Sequence, residues 1–528
     1  MPRKTRSDPA LLCFVGFLTL LGGYVRISPL LASSFPLNDG GLFYSMTRDL
    51  IANQFRLPLS ASYNALQVAY AYPPLAFYLA GGLAQLFGWP LLDIFRLLPA
   101  LVSALTIPAF YLLARDLLKS KAQVLLAVFF FAFMPSAFYW PLMGGGLTRG
   151  LGLFFSILAF WALLRLYRRP LGLYTVFWTG LFTALAILSH PEAALHTVSG
   201  ALVFFVFFDL SRKGLLKSAL SGALTLLLTA PWWGTVLASH GLGPFLAAGS
   251  TGGYRLDLWL SFFQLNLADE VALTFIGCLA MLGVFALLAK KELFLPVWSL
   301  LVILVSPRSA VQHLGLCLAL LAALALDELV LPRLRELEQP VAPTPAAGLE
   351  SLFAGRTPKI LFAYLLIYFI VAAYSVVFNE VRSLSLSAGD QQAFAWITAH
   401  LQPAGRFALI TGDQPLGDPA AEWFPALTGQ VSAATVQGYE WIPGRPFDEI
   451  LRQSFGLQLC AMQDAACVQD WQAKTGVAFE YLYLDKQRIR QNQGAASGPV
   501  YLQKSLLETN QYEIIYETPA VTILQARK

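Results

Sequence analysis

The chain has 528 residues, 57% of them hydrophobic and 13% charged, with a mean hydropathy of +0.60. Water-soluble domains carry roughly 25% charged residues, so a soluble nucleotide enzyme, a disordered chain and a fibrous protein are excluded. The net charge of +5 is small for a nucleic-acid binder, and the basic residues sit in short loops beside apolar runs. The composition therefore implies a lipid bilayer as partner and no nucleic acid.

Met1–Pro9 carries Arg3, Lys4 and Arg6 and precedes an apolar run from about Ala10 to Leu31, long enough to span a bilayer. It reads as a first transmembrane helix with a cytoplasmic start. Further apolar runs lie near 73–89, 95–115, 122–141, 147–167, 172–189, 194–209, 215–237, 271–289, 292–305, 311–331 and 359–379. Basic loops at Arg115–Lys121, Arg165–Arg169, Arg212–Lys217, Lys290–Lys291 and Arg333–Lys359 are expected inside the cell. The segments around 140–149, 189–197, 238–270 and 306–310, and everything after 380, then lie outside. Residues 1–380 thus form a transmembrane domain in the plasma membrane with a first external loop at 32–72. One conflict stands: a single net crossing must join residue 39 to residue 115, yet two apolar runs lie between them.

Gln339–Ala347 reads as a flexible cytoplasmic linker. Residues 381–528 turn globular and are expected as an extracytoplasmic α/β domain. Ala393–Leu401 and most of Phe447–Thr475 read as helix, and Arg406–Thr411, Val431–Tyr439 and Phe479–Leu484 as strands, with a hairpin over Glu513–Ile523. Cys460 and Cys467, the only cysteines in a polar region, could bridge in an oxidising compartment.

The first external loop, Phe35–Ile51, places Asp39 at the membrane surface. Spacing alone favours a helix N-cap; a general base on an acceptor hydroxyl or amine is the other reading. Further along come Tyr72–Leu75 (Tyr-Pro-Pro-Leu), Leu86–Gly88 (Leu-Phe-Gly), Phe95–Ala100 (Phe-Arg-Leu-Leu-Pro-Ala) and Tyr111–Asp116. This order resembles the N-terminal half of the polyprenyl-phosphate-sugar glycosyltransferases of the C-type membrane fold, among them protein O-mannosyltransferases and lipid A aminoarabinose transferases. The resemblance covers about residues 10–170 and implies a polytopic α-helical fold of about eleven to thirteen helices with an external C-terminal domain. It also implies that Asp39 activates the acceptor. Two positions depart from the pattern: Gly40 stands where relatives often carry a second acid, and Tyr72 where some carry a base that reaches the donor phosphate.

His190 and Glu192, in Leu188–His196, stand between two apolar runs, where ionisable groups usually face a cavity. With Asp39 they could hold a divalent metal ion or touch the acceptor; an interfacial turn is the alternative, and His196 reads as a packed histidine. Arg149, after three glycines at 144–146, and Arg308 are the cationic candidates for the donor phosphate beside Tyr72, with snorkelling to headgroups as the alternative. The glycines could form an anion nest. The external stretch His240–Glu270, with Tyr254 and Trp259, reads as an interfacial segment. Ala421–Gly429 and Val436–Trp441 are unusually aromatic for a loop; a packed turn is favoured over a glycan surface.

The expected function is transfer of a sugar from a polyprenyl-phosphate donor to an acceptor on the extracytoplasmic face. A lipid-linked sugar translocator or binding subunit, or an oligosaccharyltransferase-like enzyme, are the alternatives.

Overall fold

A computed structural model describes residues 9–251, 275–307, 309–338, 349, 352, 355–376, 384–444, 446–493 and 498–527. The expectations placed on Arg308, Tyr254, Trp259 and the linker Gln339–Ala347 lie outside these residues.

Seven stretches of helix are long and apolar enough to cross a membrane among the described residues, and the chain is an integral membrane protein. The N-terminal half comprises α1 (Pro9–Ala32), α2 (Gly41–Ala52), α3 (Leu75–Phe87), α4 (Leu91–Leu117), α5 (Lys121–Phe133), α6 (Gly146–Arg168), α7 (Leu173–Ser189), α8 (Pro191–Phe208), α9 (Arg212–His240) and α10 (Gly243–Ser250). After these come α11 (Phe275–Ala289), α12 (Phe294–Val305), α13 (Ala310–Ala325), α14 (Leu331–Glu338) and α15 (Arg356–Val376).

Two apolar helices of unequal length lie between residues 39 and 115. At ~1.5 Å rise per residue, the 13 residues of α3 reach about 20 Å, short of the ~30 Å hydrocarbon core. Gly88, in the left-handed region at φ 67°, ends it, and α4 runs on for 27 residues. The run near 122–141 is likewise broken. Helix α5 stops at Phe133 and the chain continues through 3-10 turns at Pro135–Ala137 and Trp140–Leu142, because Pro135 cannot extend the backbone hydrogen-bond ladder.

Helix α5 is apolar on every face and buried from Ala122 to Phe133, so it forms the centre of the bundle. Its start is fixed by a capping box: Ser120 Oγ accepts from the Gln123 amide at 3.0 Å, and the Gln123 carbonyl accepts from the Ser120 amide at 3.3 Å. Arg26 of α1, fully buried, staples the bundle at the other end of α5. Its guanidinium donates to the carbonyls of Gly22 (2.9 Å) and Ala132 (2.6 Å) and to Ser103 Oγ (3.1 Å), and it lies 4.4 Å from the centre of the Phe138 ring.

The C-terminal domain is an α/β unit. After the short antiparallel pair β1 (Ser60–Ala61) and β2 (Val68–Ala69) ahead of α3, the sheet of this domain runs in the order β4 (Val431–Ser432), β3 (Arg406–Ile410), β5 (Tyr481–Asp485), β7 (Val521–Ala526), β6 (Tyr512–Glu517). Strands β4, β3 and β5 are parallel, and β7 and β6 add as an antiparallel hairpin. The expected strand over Val431–Tyr439 shrinks to two residues, because the chain turns away at Ser432, whose hydroxyl accepts from the amides of Ala434 and Thr435. Helices α16 (Ala388–His400), α17 (Pro419–Thr428), α18 (Phe447–Gln458), α19 (Ala465–Thr475), α20 (Lys486–Gln493) and α21 (Gly498–Glu508) pack around it. Cys460 and Cys467 form a disulfide.

The domain is tied to the membrane part through the loop after α1. The Asn38 amide donates to the Leu384 carbonyl at 2.9 Å. A separate apolar cluster, with Leu42, Met46, Tyr63, Tyr70, Phe77 and Leu147 from the membrane part and Ala426 and Trp441 from the domain, cements the junction.

Candidate active site

Asp39 does not cap α2. That helix begins after Gly40, whose φ of 136° suits only glycine, and no side chain of its own segment caps it. The cap comes from the outer domain. Oε1 of Glu422, in the first turn of α17, accepts from the amides of Gly40 (3.3 Å) and Leu42 (3.2 Å). Gly41 is required by the same approach, since a Cβ there would stand 2.3 Å from the Glu422 carbonyl oxygen. Next to it, Trp423 donates its indole N–H to the Asn38 carbonyl at 2.8 Å.

The Asp39 carboxylate is thereby left to face α6. One oxygen accepts from Arg149 Nη2 at 3.1 Å and the other from the Gly145 amide at 3.1 Å. The glycines at 144–146 therefore serve contact with the loop and do not form a free anion nest. A Cβ at Gly144 would lie 2.2 Å from the Asp39 carbonyl, and one at Gly145 would lie 2.8 Å from its carboxylate. Arg149 sits 5.6 Å from the Trp140 ring centre, and its Nη1 is buried without a hydrogen-bond partner.

These groups open onto a cavity of about 660 Å³ between the membrane helices and the outer domain. Asp39, Tyr72, Arg149, His190 and Glu192 all line it, so five of the six residues singled out in the sequence converge. Tyr72 is buried, its hydroxyl 3.3 Å from that of Thr148; burial pushes its phenol well up, so the ring stays neutral. His190 caps α8, with Nδ1 accepting from the Glu192 amide at 3.2 Å. It reaches the wall because Gly152 of α6 lets α8 approach: a Cβ there would be 3.0 Å from that of His190. Among the described residues no three His, Cys, Asp or Glu side chains are grouped as metal ligands; Asp39, His190 and Glu192 share the lining of the cavity. His196 is packed: its ring stacks on His313 at 4.3 Å and its Nε2 lies 2.9 Å from Ser309 Oγ.

The outer-domain wall adds residues the sequence did not single out one by one: Glu422, Gln437, Glu440 and Trp441. Burial, and after it the charge of Asp39, pushes the Glu422 carboxyl up to about 8. Trp423, by contrast, is fully buried in the domain junction, as a packed aromatic turn requires. The signal for α17 was present in Asp418–Pro419, an N-cap residue followed by proline at the first helical position.

Residues 71–234, 164 of the 528, match the family described as dolichyl-phosphate-mannose-protein mannosyltransferase. The oligosaccharyltransferase AglB of Archaeoglobus fulgidus, solved with an inhibitory peptide and a dolichol-phosphate, superposes with a TM-score of 0.59 at 15% identity. That match spans 98% of this chain and 74% of that one. ArnT of Cupriavidus metallidurans, solved with undecaprenyl phosphate, gives 0.52 at 14% identity over 98% of both chains. The arabinofuranosyltransferase AftD from Mycobacteria gives 0.57 at 16% identity over 99% of this chain and 40% of that one. No curated protein matches the chain by sequence. The chain has the C-type glycosyltransferase fold, the fold that its N-terminal motifs resemble.

Proposed function

We propose that the protein transfers a sugar from a polyprenyl-phosphate donor to an acceptor on the extracytoplasmic side of the membrane. The observation that carries this reading is the meeting of Asp39 and Arg149 at 3.1 Å in a cavity between the spans and the outer domain. Asp39 takes the proton from an acceptor hydroxyl or amine as that atom attacks the anomeric carbon. The bond from that carbon to the phosphate oxygen breaks, its electron pair leaves with the phosphate, and the configuration inverts. Arg149 holds the leaving phosphate with the nitrogen that Asp39 does not occupy, the geometry in which guanidinium grips oxyanions. Tyr72 lines the donor path, with the His190 ring 6.1 Å from its own and Glu192 beside them on the cavity. The bound dolichol-phosphate and undecaprenyl phosphate in AglB and ArnT support a lipid-phosphate donor. The Cys460–Cys467 bond supports an oxidising, extracytoplasmic setting for the domain.

The test is transfer of radiolabel from polyprenyl-phosphate sugars into membrane extract by the purified protein. Wild type is expected to transfer label, and Asp39→Asn to lose roughly 10²-fold or more of that rate, the scale of a general-base contribution. Equal rates in both would remove Asp39 from the chemistry, and the absence of transfer from every donor would overturn the enzyme reading in favour of translocation or binding.

A further inference from the structure

The cavity has two walls of different character. The membrane wall carries the Asp39–Arg149 pair. On the outer-domain wall, two polar atoms are buried with no hydrogen-bond partner: Glu422 Oε2 and Gln437 Oε1. Both residues line the cavity, with Trp441 beside them. Across the cavity the indole nitrogen of Trp232 is likewise buried and unpartnered. Leaving such groups unsatisfied is costly, and a ligand with matching groups removes that cost.

We propose that this wall, formed by Glu422, Gln437 and Trp441, is the acceptor subsite, and that the acceptor it takes is a neutral saccharide. The proposal deepens the transferase reading and rests on it. Glu422 Oε1 is already engaged by two amides of α2, so the proton that burial holds on this carboxyl at neutral pH belongs on Oε2. The wall then offers one donor, Glu422 Oε2–H, and one acceptor, Gln437 Oε1, a pair that matches two sugar hydroxyls. The Trp441 indole supplies the flat apolar surface against which the C–H face of a sugar ring packs. Glu440, which also lines the wall, disfavours an anionic acceptor. An extended peptide would need a strand edge or a groove for its backbone. The outer-domain residues on the cavity come instead from α17, the 3-10 turn Tyr439–Trp441 and adjoining loops, with none from a strand.

The test is ligand-observed saturation-transfer NMR on the full chain in nanodiscs, without donor. The probes are methyl glycosides of mannose, glucose, galactose and arabinose, and a serine- and threonine-containing hexapeptide. At least one glycoside is expected to bind wild type and Glu422→Gln, whose side-chain amide keeps a donor in place of the carboxyl O–H, and to bind Gln437→Leu about tenfold more weakly; the peptide is expected not to bind. Undecaprenyl phosphate binding, measured on the same samples, reports the fold and the donor side: it is expected to persist in both variants and to weaken in Arg149→Gln. Peptide binding without glycoside binding, no binding of any glycoside, or glycoside binding that Gln437→Leu does not weaken would overturn the saccharide subsite. Retained undecaprenyl phosphate binding in those cases would leave the transferase reading standing, whereas its absence from wild type would count against that reading itself.

Discussion

Glu422 performs at the domain junction the capping task that local spacing assigned to Asp39. Asp39 is freed from the expected cap because that cap arrives from 382 positions away, beyond the reach of any local pattern. Asp39 was legible from its place after the first span and from the motifs behind it. Glu422 was not, since a glutamate in an aromatic stretch carries no mark of what it will face. Its burial has a consequence for stability. The carboxyl rises from about 4.5 to about 8 in the folded protein, so the native state holds a proton that the unfolded chain releases. The stabilisation is complete below about 4.5 and is lost as pH rises toward about 8. The facing groups, Asp39 on the loop before α2 and Glu440 on the turn at Tyr439–Trp441, both push in this direction, while the Tyr63 hydroxyl engages the Glu422 backbone carbonyl at 2.6 Å. Asp418, raised to about 6, and Asp485, raised well above the usual carboxylate range by burial and by Asp390, act the same way, so below pH 8 the share of Glu422 is the difference between wild type and Glu422→Gln. Unfolding free energy is expected to fall there by up to about 1.4 kcal/mol per pH unit more in wild type than in Glu422→Gln. Tryptophan fluorescence melts of the detergent-solubilised protein measure it, and parallel slopes in the two proteins would refute the assignment.

At the scale of elements, helix periodicity and turn residues marked most of the spans, while contacts between elements stayed hidden. Gly144 and Gly145 looked like an anion nest because consecutive glycines free backbone amides. In the fold they are the gap through which the Asp39 loop meets the start of α6. Whether a glycine is there for an amide or for clearance depends on what packs against it, and here the partner lies more than a hundred residues away. Helix α17 was read as an aromatic loop because Pro425 interrupts it, although its capping signature was visible. The clearance argument predicts a contrast. Gly144→Ala puts a Cβ 2.2 Å from the Asp39 carbonyl, so the loop must shift, and overpacking of this kind costs about 1–3 kcal/mol. Gly222 of α9 has nothing within 4 Å of the same position, and alanine there should be neutral or stabilise by about 0.5–1 kcal/mol. Thermal midpoints and transfer rates of the two variants are the check. Gly144→Ala is expected to lose both stability and transfer, and equal behaviour of the pair would show that the approach of loop and helix is slack.

For the whole molecule, the order of apolar runs and the globular turn after residue 380 were enough to foresee a bundle followed by an α/β domain. Between residues 39 and 115 the two apolar runs became helices of 13 and 27 residues, a difference in length that the run near 73–89 did not show. An odd number of crossings between the N-terminus and the outer domain then follows from the charge rule, and it can be read directly. In a background carrying Cys13→Ser and Cys278→Ser, which removes the exposed free thiols, a single cysteine is placed on either side. Glu508 of α21 and Arg333 of α14 have side chains 66% and 80% exposed. A membrane-impermeant maleimide applied to intact cells is expected to label Glu508→Cys, and to label Arg333→Cys only after lysis. In the same orientation, mild reduction of intact cells is expected to make the half-buried Cys467 available to the reagent, while Cys460 stays buried. If Arg333→Cys is labelled in intact cells and Glu508→Cys is not, the domain and its cavity face the cytoplasm. A lipid-phosphate donor would then have to be met on the inner leaflet, where nucleotide sugars compete for the same chemistry. Labelling in the expected order fixes the Asp39–Arg149 pair on the side where a lipid carrier is the sugar source that needs no nucleotide.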